Sequence, residues 1–243
     1  MRFLPAALLL LLAGLSGLLA ERARVAAGII SSPAQIPLGG FEPLAVDVLY
    51  LRADELIEAQ RLPEAIAAVR LLTELQPRVP DGWAVLGKVI AWRNSESSGD
   101  PEEQWKYARE ALEIFERGIE YNPDSQQLHF ALGVFFLMRL TMREDIRPVA
   151  ERELGAPPSA LALKAFHESD RLRSDDWPAI SGMAESARRL GLRLLELGDR
   201  SGAKAALRES LEHFERLFDR SGADVAREQI DRIRATLEEL RGR

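Results

Sequence analysis

The apolar residues of this chain follow two different patterns. Residues 3–19 form an almost continuous apolar run without a charge, whereas from about residue 43 onward apolar residues recur every three or four positions among charged ones. The first pattern predicts one apolar helix, and the second predicts a series of amphipathic helices. Gly, Pro and Ser are frequent over residues 28–43, which predicts a linker between the two parts.

The helical part contains a register of large, small and turn-forming positions. A small residue lets two helices cross closely, an aromatic ring fills the space beside the crossing, and a proline cannot continue a helix. The positions are clearest in one stretch, where they are Trp83, Leu86, Gly87, Ile90, Ala111, Phe115, Gly118 and Pro123. This set resembles the tetratricopeptide repeat (TPR), and the resemblance implies a solenoid of helical hairpins.

The same register predicts further hairpins on both sides of this stretch. The first repeat places Ala53 and Val69 at the crossing, the third places Gly133 and Phe166 there, and a weaker fourth places Gly191 and Leu207 there. We therefore expect an all-α, TPR-like solenoid of three to four repeats over residues 43–222. A capping helix at 223–243 would close it, with a signal anchor or signal peptide at 1–24 and a linker at 25–42.

Two of the repeats are longer than the others. Ile90 and Ala111 are 21 positions apart where Leu56 and Ala65 are 9 apart, so the second repeat holds about 12 extra residues, including a predicted loop at 93–101. The third repeat holds about 17 extra residues, within 141–159. Such insertions either extend a binding surface or are tolerated loops.

The apolar run at 3–19 is short for a membrane span but long enough for one. Cleavage after Ala20 would leave the bulky Leu18 where a small residue is preferred, which favours an uncleaved anchor over a signal peptide. We expect a single N-terminal anchor in a bacterial inner membrane, with the body in the periplasm.

Charge narrows the class of partner. The whole chain has a net charge of −6 and its first 40 residues have +2, so the remaining body has −8. Nucleic acids and anionic lipids require basic surfaces, so this acidic body argues against nucleic acid as a partner. The chain has no cysteine, which excludes disulfides, thiolate metal sites and cysteine catalysis.

A second resemblance covers residues 38–166. The matching residues are Leu38-Gly39-Gly40-Phe41, Leu51-Arg52-Ala53, Leu75-Gln76-Pro77, Trp83, Asn94-Ser95 and Asn122-Pro123. They are similar to a bacterial family of N-terminally membrane-anchored TPR proteins, which implies a helical envelope protein without an assigned reaction. The chain differs from that family around positions 88 and 92. The family has more aromatic residues in this region, whereas this chain has Lys88 and Trp92.

Catalytic and metal-binding motifs are absent from the sequence. It has no Gly-rich phosphate loop, no His-Glu-x-x-His and no Gly-x-Ser-x-Gly. His129, His167 and His213 are far apart, and each falls within a helical pattern, so packing or a solvated helix face explains them. We expect no enzyme activity, no cofactor and no metal.

The resemblance to TPR proteins implies that the first helix of each repeat lines a concave face. The inward positions predict a partner-binding groove that is acidic at one end and apolar at the other. Its residues are Asp47, Tyr50, Asp54, Glu58, Asp81, Lys88, Trp92, Phe130, Val134 and Leu137. Apolar residues in such a groove either hold a partner or are covered by the chain's own 141–159 insertion.

Two functions follow from these features. The chain is either a membrane-anchored scaffold that binds a protein or peptide, for which a basic segment would suit the acidic end of the groove, or a structural subunit of a membrane-embedded complex. Small residues within 3–19 suit close helix contacts in such a complex, but anchoring in lipid explains them equally well.

Overall fold

The computed structural model describes residues 42–92, 99–174 and 176–241, and these are helical, with no strand among them. The predicted all-α class is therefore confirmed for this part of the chain. A boundary between Gly82 and Trp83 divides the chain into two compact units. Residues 1–41, which hold the predicted apolar helix and nearly all of the predicted linker, lie outside the described residues. In the part that is described, no helix combines the length and the hydropathy that crossing a membrane requires.

The first unit contains a helical hairpin of α1 (Glu42–Glu58) and α2 (Leu62–Leu75), followed by the start of α3 (Pro80–Trp92). The turn between α1 and α2 places Gln60 in the left-handed region, with φ of 58°. The two helices pack through an apolar cluster formed by Val46, Leu72 and Leu75, with Leu49, Tyr50 and Leu71 beside it. Pro77 follows the end of α2, as the register predicts.

The second unit begins within α3 and contains seven further α-helices and one π-helix among its described residues. They are α4 (Pro101–Tyr121), α5 (Gln126–Val134), the π-helix (Phe135–Thr141), α6 (Arg147–Leu154), α7 (Pro158–Leu172), α8 (Trp177–Glu196), α9 (Arg200–Ser221) and α10 (Asp224–Arg241). Helix α8 packs against both α7 and α9, and α9 packs against α10. In this series, each helix thus covers the apolar face of the helix that precedes it.

Glycines set the helix crossings of the second unit. A β-carbon on Gly133 of α5 would come within 2.8 Å of the Phe166 ring of α7, and one on Gly191 of α8 would come within 2.6 Å of Leu207 of α9. Phe166 also lies against Gly182 of α8. The predicted crossing positions therefore recur from hairpin to hairpin, and the fold of the described residues is TPR-like.

The described parts of both insertions contain helix, while most of the loop predicted at 93–101 lies outside the described residues. Helix α4 begins ten residues before Ala111, whereas α2 begins three residues before the equivalent Ala65, so two additional helical turns take up part of the first insertion. In the second insertion, α6 buries Val149 and Ala150, and Ile146 just before it is also buried. Helix α6 packs against α4, α7 and the π-helix, so this insertion is part of the core rather than a simple surface loop.

The C-terminal helix α10 follows Gly222, which ends α9 with φ of 62°. It buries Ala226, Ile230 and Ile233. Val225, which the sequence offers as an apolar residue of the predicted capping helix, is 71% exposed. The inward face includes Ala226 instead, because Ala226, Ile230 and Ile233 share one side of the helix at spacings of four and three.

Candidate functional site

Three of the predicted carboxylates lie along one side of α1. Asp47, Asp54 and Glu58 are exposed, and their spacings of seven and four residues bring them onto the same side of the helix. None of them has an ion-pair partner among the described residues. This side of α1 therefore carries three exposed carboxylates.

Tyr50 and Asp81 are brought close together in the first unit. Tyr50 is half-buried, and a β-carbon on Gly82 would be 3.9 Å from its hydroxyl oxygen. Burial, and then the charge of Asp81, raise the pKa of Tyr50. The phenol stays protonated near neutral pH and retains a hydrogen-bond donor.

An apolar stripe lies next to these carboxylates and was not predicted. Leu44, Val48 and Leu51 are 61%, 56% and 67% exposed. At 100° per residue, this stripe lies on the side of α1 turned away from Val46, Ala53 and Leu56, which form the core. The spacing i, i+4, i+7 was present in the sequence, but it did not show which of the two apolar faces of α1 is buried. We call Leu44, Val48, Leu51, Asp47, Asp54 and Glu58 together the α1 surface.

The predicted residues of the second unit differ in exposure. Lys88 and Trp92 are exposed at the end of α3, and Phe130 and Val134 are half-buried on α5. The Phe130 ring packs edge-on against Phe166, with ring centroids 5.7 Å apart. Phe130 thus contributes to the contact between α5 and α7.

Leu137 is a correction to the predicted groove. It is 6% exposed and belongs to the core, whereas its neighbour Met138 is 48% exposed. Leu137 lies in the π-helix, whose wider turn changes which residues point inward compared with an α-helix. It therefore presents no surface to a partner.

A buried arginine holds several elements of the second unit together. Arg139 of the π-helix donates from Nε to the carbonyl oxygen of Ala91 at 2.9 Å and from Nη1 to Oε1 of Gln104 at 3.2 Å. Arg139 and Gln104 are both almost completely buried. Desolvation, and then the charge of Arg143, lower the pKa of Arg139, which nevertheless remains a cation because guanidinium does not deprotonate in proteins. These hydrogen bonds join the ends of α3, α4 and the π-helix.

The network continues into the turn that begins the second insertion. Gln104 donates from Nε2 to Oδ2 of Asp145 at 3.2 Å, and Arg143 binds Asp145 through two hydrogen bonds of 3.0 and 2.7 Å. The Arg143 hydrogen bond is the largest cause that holds the pKa of Asp145 well below its usual range. The role of this network is structural, because Arg139 and Arg143 occupy the amide oxygen of Gln104, and Arg143 and the Gln104 Nε2 group occupy the carboxylate of Asp145.

Of the three histidines, two lie close together, which their separation along the sequence does not predict. His129 Nε2 lies 3.1 Å from the carbonyl oxygen of Pro123, in the turn just before its own helix α5. His167 of α7 and His213 of α9, however, are neighbours, with ring centroids 5.8 Å apart. Glu209, which is not among the residues that the sequence predicts to be functional, lies beside both. The spacing of Glu209 and His213, which places them one helical turn apart, is the signal that was available.

No protein-family model matches this chain, and no curated protein matches it. Among solved structures, the crystal structure of TTC0263, a thermophilic TPR protein of Thermus thermophilus, is similar with a TM-score of 0.48 and 18% sequence identity over 80% of each chain. The helix crossings at the glycines of this chain themselves indicate that the described residues have a TPR-like fold.

Proposed function

We propose that this chain is a membrane-anchored interaction scaffold that binds a protein or peptide with basic and apolar side chains. The observation that carries the proposal is the α1 surface, in which three exposed apolar residues lie beside three carboxylates without ion-pair partners among the described residues. A stripe of apolar residues at i, i+4 and i+7 matches the spacing by which one helix packs against another. The partner segment best suited to it is an amphipathic helix with lysine or arginine along one edge.

The two parts of the α1 surface would make different contributions. Burying an exposed leucine or valine side chain contributes about 1.5–3 kcal/mol, so Leu44, Val48 and Leu51 would hold the complex together. Asp47, Asp54 and Glu58 would attract a basic segment and speed its association, an effect that salt weakens. Arg52 does not cancel this field, because it already pairs with Glu55 at 3.0 Å.

The predicted concave face contributes further residues to this proposal. In the first unit these are Tyr50 and Asp81, and in the second they are Lys88, Trp92, Phe130 and Val134. Trp92 is the large apolar residue among them with the greatest exposure, which makes it the best anchor for an apolar side chain of the partner.

The anchoring part of the proposal places residues 3–19 in a bacterial inner membrane and the body in the periplasm. Support comes from the uncharged apolar run and from the resemblance to membrane-anchored TPR proteins. Attachment to the membrane would confine the scaffold to two dimensions and raise its effective concentration near partners in the same membrane.

The test is quantitative affinity purification of the full-length chain in mild detergent. One variant replaces the apolar stripe (Leu44→Ser, Val48→Ser, Leu51→Ser), and a matched control replaces exposed apolar residues elsewhere (Leu197→Ser, Val225→Ser). We expect a specific partner with the wild type and the control, and at least about tenfold less of it with the stripe variant. Equal recovery with all three proteins would contradict the proposal.

The second candidate, a structural subunit of a membrane complex, predicts a different result. Its contacts would involve residues 3–19, so the stripe variant would stay in a large assembly. Sizing the wild type and the stripe variant after gentle detergent extraction separates the two functions. A stable large assembly that does not depend on the α1 surface favours the structural subunit.

A further inference from the structure

Helices α7 and α9 bring together three side chains that can bind a metal ion. His167 Nε2 of α7 lies 2.6 Å from Oε1 of Glu209 on α9, and the same oxygen lies 4.0 Å from Nε2 of His213, also on α9. One ligand atom from each residue falls within 4.8 Å of the other two. Both helices pack against α8, which fixes the distance between them.

His213 is the residue that sets this cluster apart from an ordinary surface ion pair. It is 8% exposed, and neither of its ring nitrogens has a hydrogen-bond partner among the described residues. Buried polar groups are nearly always satisfied, so an imidazole in this state calls for a partner beyond the described residues, such as a metal ion or an ordered water. The neutral imidazole is the form that binds metals.

We propose that His167, Glu209 and His213 form a binding site for one Zn²⁺ ion, which joins α7 to α9. Two imidazoles and one carboxylate are a ligand set that zinc accepts, with water completing a tetrahedron. Calcium and magnesium prefer oxygen ligands, so the two histidines disfavour them. The proposal revises the expectation from sequence that the chain holds no metal.

The observed spacing is compatible with this site after small side-chain movements. Metal–ligand bonds of about 2.0–2.1 Å place tetrahedral ligand atoms about 3.4 Å apart, so the widest separation must close by about 1.4 Å. His167 and Glu209 have side chains that are 48% and 34% exposed, and both can rotate at the surface, while His213 stays fixed by burial. Around His213, the carboxylates of Glu209 and Glu212 favour a cation and the charge of Arg216 opposes it.

The consequence of binding would be a cross-link between residues 42 positions apart in the chain. Such a link stabilises the folded state, because the unfolded chain does not hold the three ligands together. Zinc would thereby stiffen the α7–α8–α9 part of the second unit without touching the α1 surface. The site is independent of the proposed scaffold function.

The experiment uses the untagged full-length chain in detergent, freed of metal with a chelator. Zn²⁺ affinity is measured by titration against a chromophoric chelator, and Co²⁺ serves as a spectroscopic probe through its visible d–d absorption. The variants are His167→Asn, Glu209→Gln and His213→Asn. The controls are His129→Asn, which removes a histidine outside the cluster, and Glu212→Gln, which removes a neighbouring carboxylate.

We expect about one Zn²⁺ per wild-type chain, a melting temperature raised by roughly 5 °C in excess Zn²⁺, and a Co²⁺ spectrum typical of tetrahedral sites. His167→Asn alters an exposed group and Glu209→Gln a partly exposed one, so both should fold normally, yet weaken Zn²⁺ binding by at least about tenfold. The His129→Asn control should bind as the wild type does, and Glu212→Gln, which removes a nearby charge but no ligand, should weaken binding far less than the ligand variants. Failure to bind Zn²⁺ at micromolar concentration would overturn the proposal. So would an unchanged affinity in the His167 and Glu209 variants, or an equal loss in the His129 control.

Discussion

The ring of Phe115 lies directly against Gly87, so close that a β-carbon on the glycine would come within 2.6 Å of two ring carbons. Trp83 and Gly118 pack in the same way, but here the glycine is on α4 and the large side chain is on α3. A β-carbon on Gly118 would come within 2.7 Å of the tryptophan side chain. Two glycines on facing helices thus allow α3 and α4 to approach closely along more than one turn. The Trp83 ring also stacks on Tyr121, with ring centroids 5.7 Å apart.

This crossing gives the first prediction. Gly87→Leu should lower the free energy of unfolding by about 1–3 kcal/mol or more, because the new side chain overlaps the Phe115 ring and forces the helices apart. Gly99→Leu is the matched control, since a β-carbon there would have nothing within 4 Å, and its effect should stay within about 0.5 kcal/mol. Chemical denaturation of the two variants checks the difference, and equal shifts would show that the assigned crossing is wrong.

The second prediction concerns the buried network around Arg139. Gln104→Ala removes the oxygen that accepts hydrogen bonds from both Arg139 and Arg143 and leaves a buried cation with fewer partners. We expect a loss of about 1–3 kcal/mol in the free energy of unfolding, compared with less than about 0.5 kcal/mol for Gln127→Ala on the exposed surface. Denaturant titration measures both variants. A Gln104→Ala protein as stable as the wild type would mean that the network does not hold α4 to the π-helix.

The third prediction is a pH dependence that arises at Asp145. Its pKa is lower in the folded state than the ordinary value, so the stabilisation by its hydrogen bonds is complete above about pH 4 and is lost as the pH falls further. Asp145→Asn cannot titrate and should therefore show a smaller loss of stability than the wild type below pH 4. Melting curves between pH 7 and pH 2 test this. Parallel curves for the two proteins would contradict the assignment.

The fourth prediction concerns the apolar run at residues 3–19, which lies outside the described residues. The full-length chain should stay with membranes in a carbonate wash. A variant with Leu10→Arg and Leu12→Arg should be released, because each arginine at the centre of a membrane helix costs about 2.5–3.5 kcal/mol. Leu197→Arg, an exposed position on the body, serves as the control and should remain bound. An intact full-length chain in the soluble fraction would overturn the anchor, and a membrane-bound form beginning near Glu21 would show that the run is cleaved.

The helix crossings could be predicted from sequence because they depend on local size complementarity. Gly87 and Phe115, Gly133 and Phe166, and Gly191 and Leu207 were all assigned to crossings from their register, and the structure brings each pair into contact. A glycine on one helix and a large side chain on the next are sufficient to define where two helices approach closest. No knowledge of distant residues is needed for that inference.

The features that were missed depend on longer-range information. A regular α-helical turn would place Leu137 on the outward side, but the π-helix changes the turn and buries it. Arg139 lies in an apolar stretch that gives no sign that a cation is buried there. The proximity of His167 to Glu209 and His213 depends on how α7 and α9 pack around α8, which spacing along the chain does not reveal. The exposed face of α1 was missed for a related reason, since both of its apolar faces have helical spacing.

The central claim, that the α1 surface receives a basic and apolar segment of another protein, is tested most directly by photo-crosslinking at Leu51. A photoreactive amino acid is placed at position 51 of the full-length chain in cells, with position 225 as an equally exposed control, and the products are identified by mass spectrometry. The account predicts a crosslink from position 51 to a lysine- or arginine-containing amphipathic segment of one partner protein. That crosslink should be absent from position 225 and should be suppressed by Asp47→Lys with Asp54→Lys. Crosslinks from position 51 to this chain's own residues, or the same products from both positions, would contradict it.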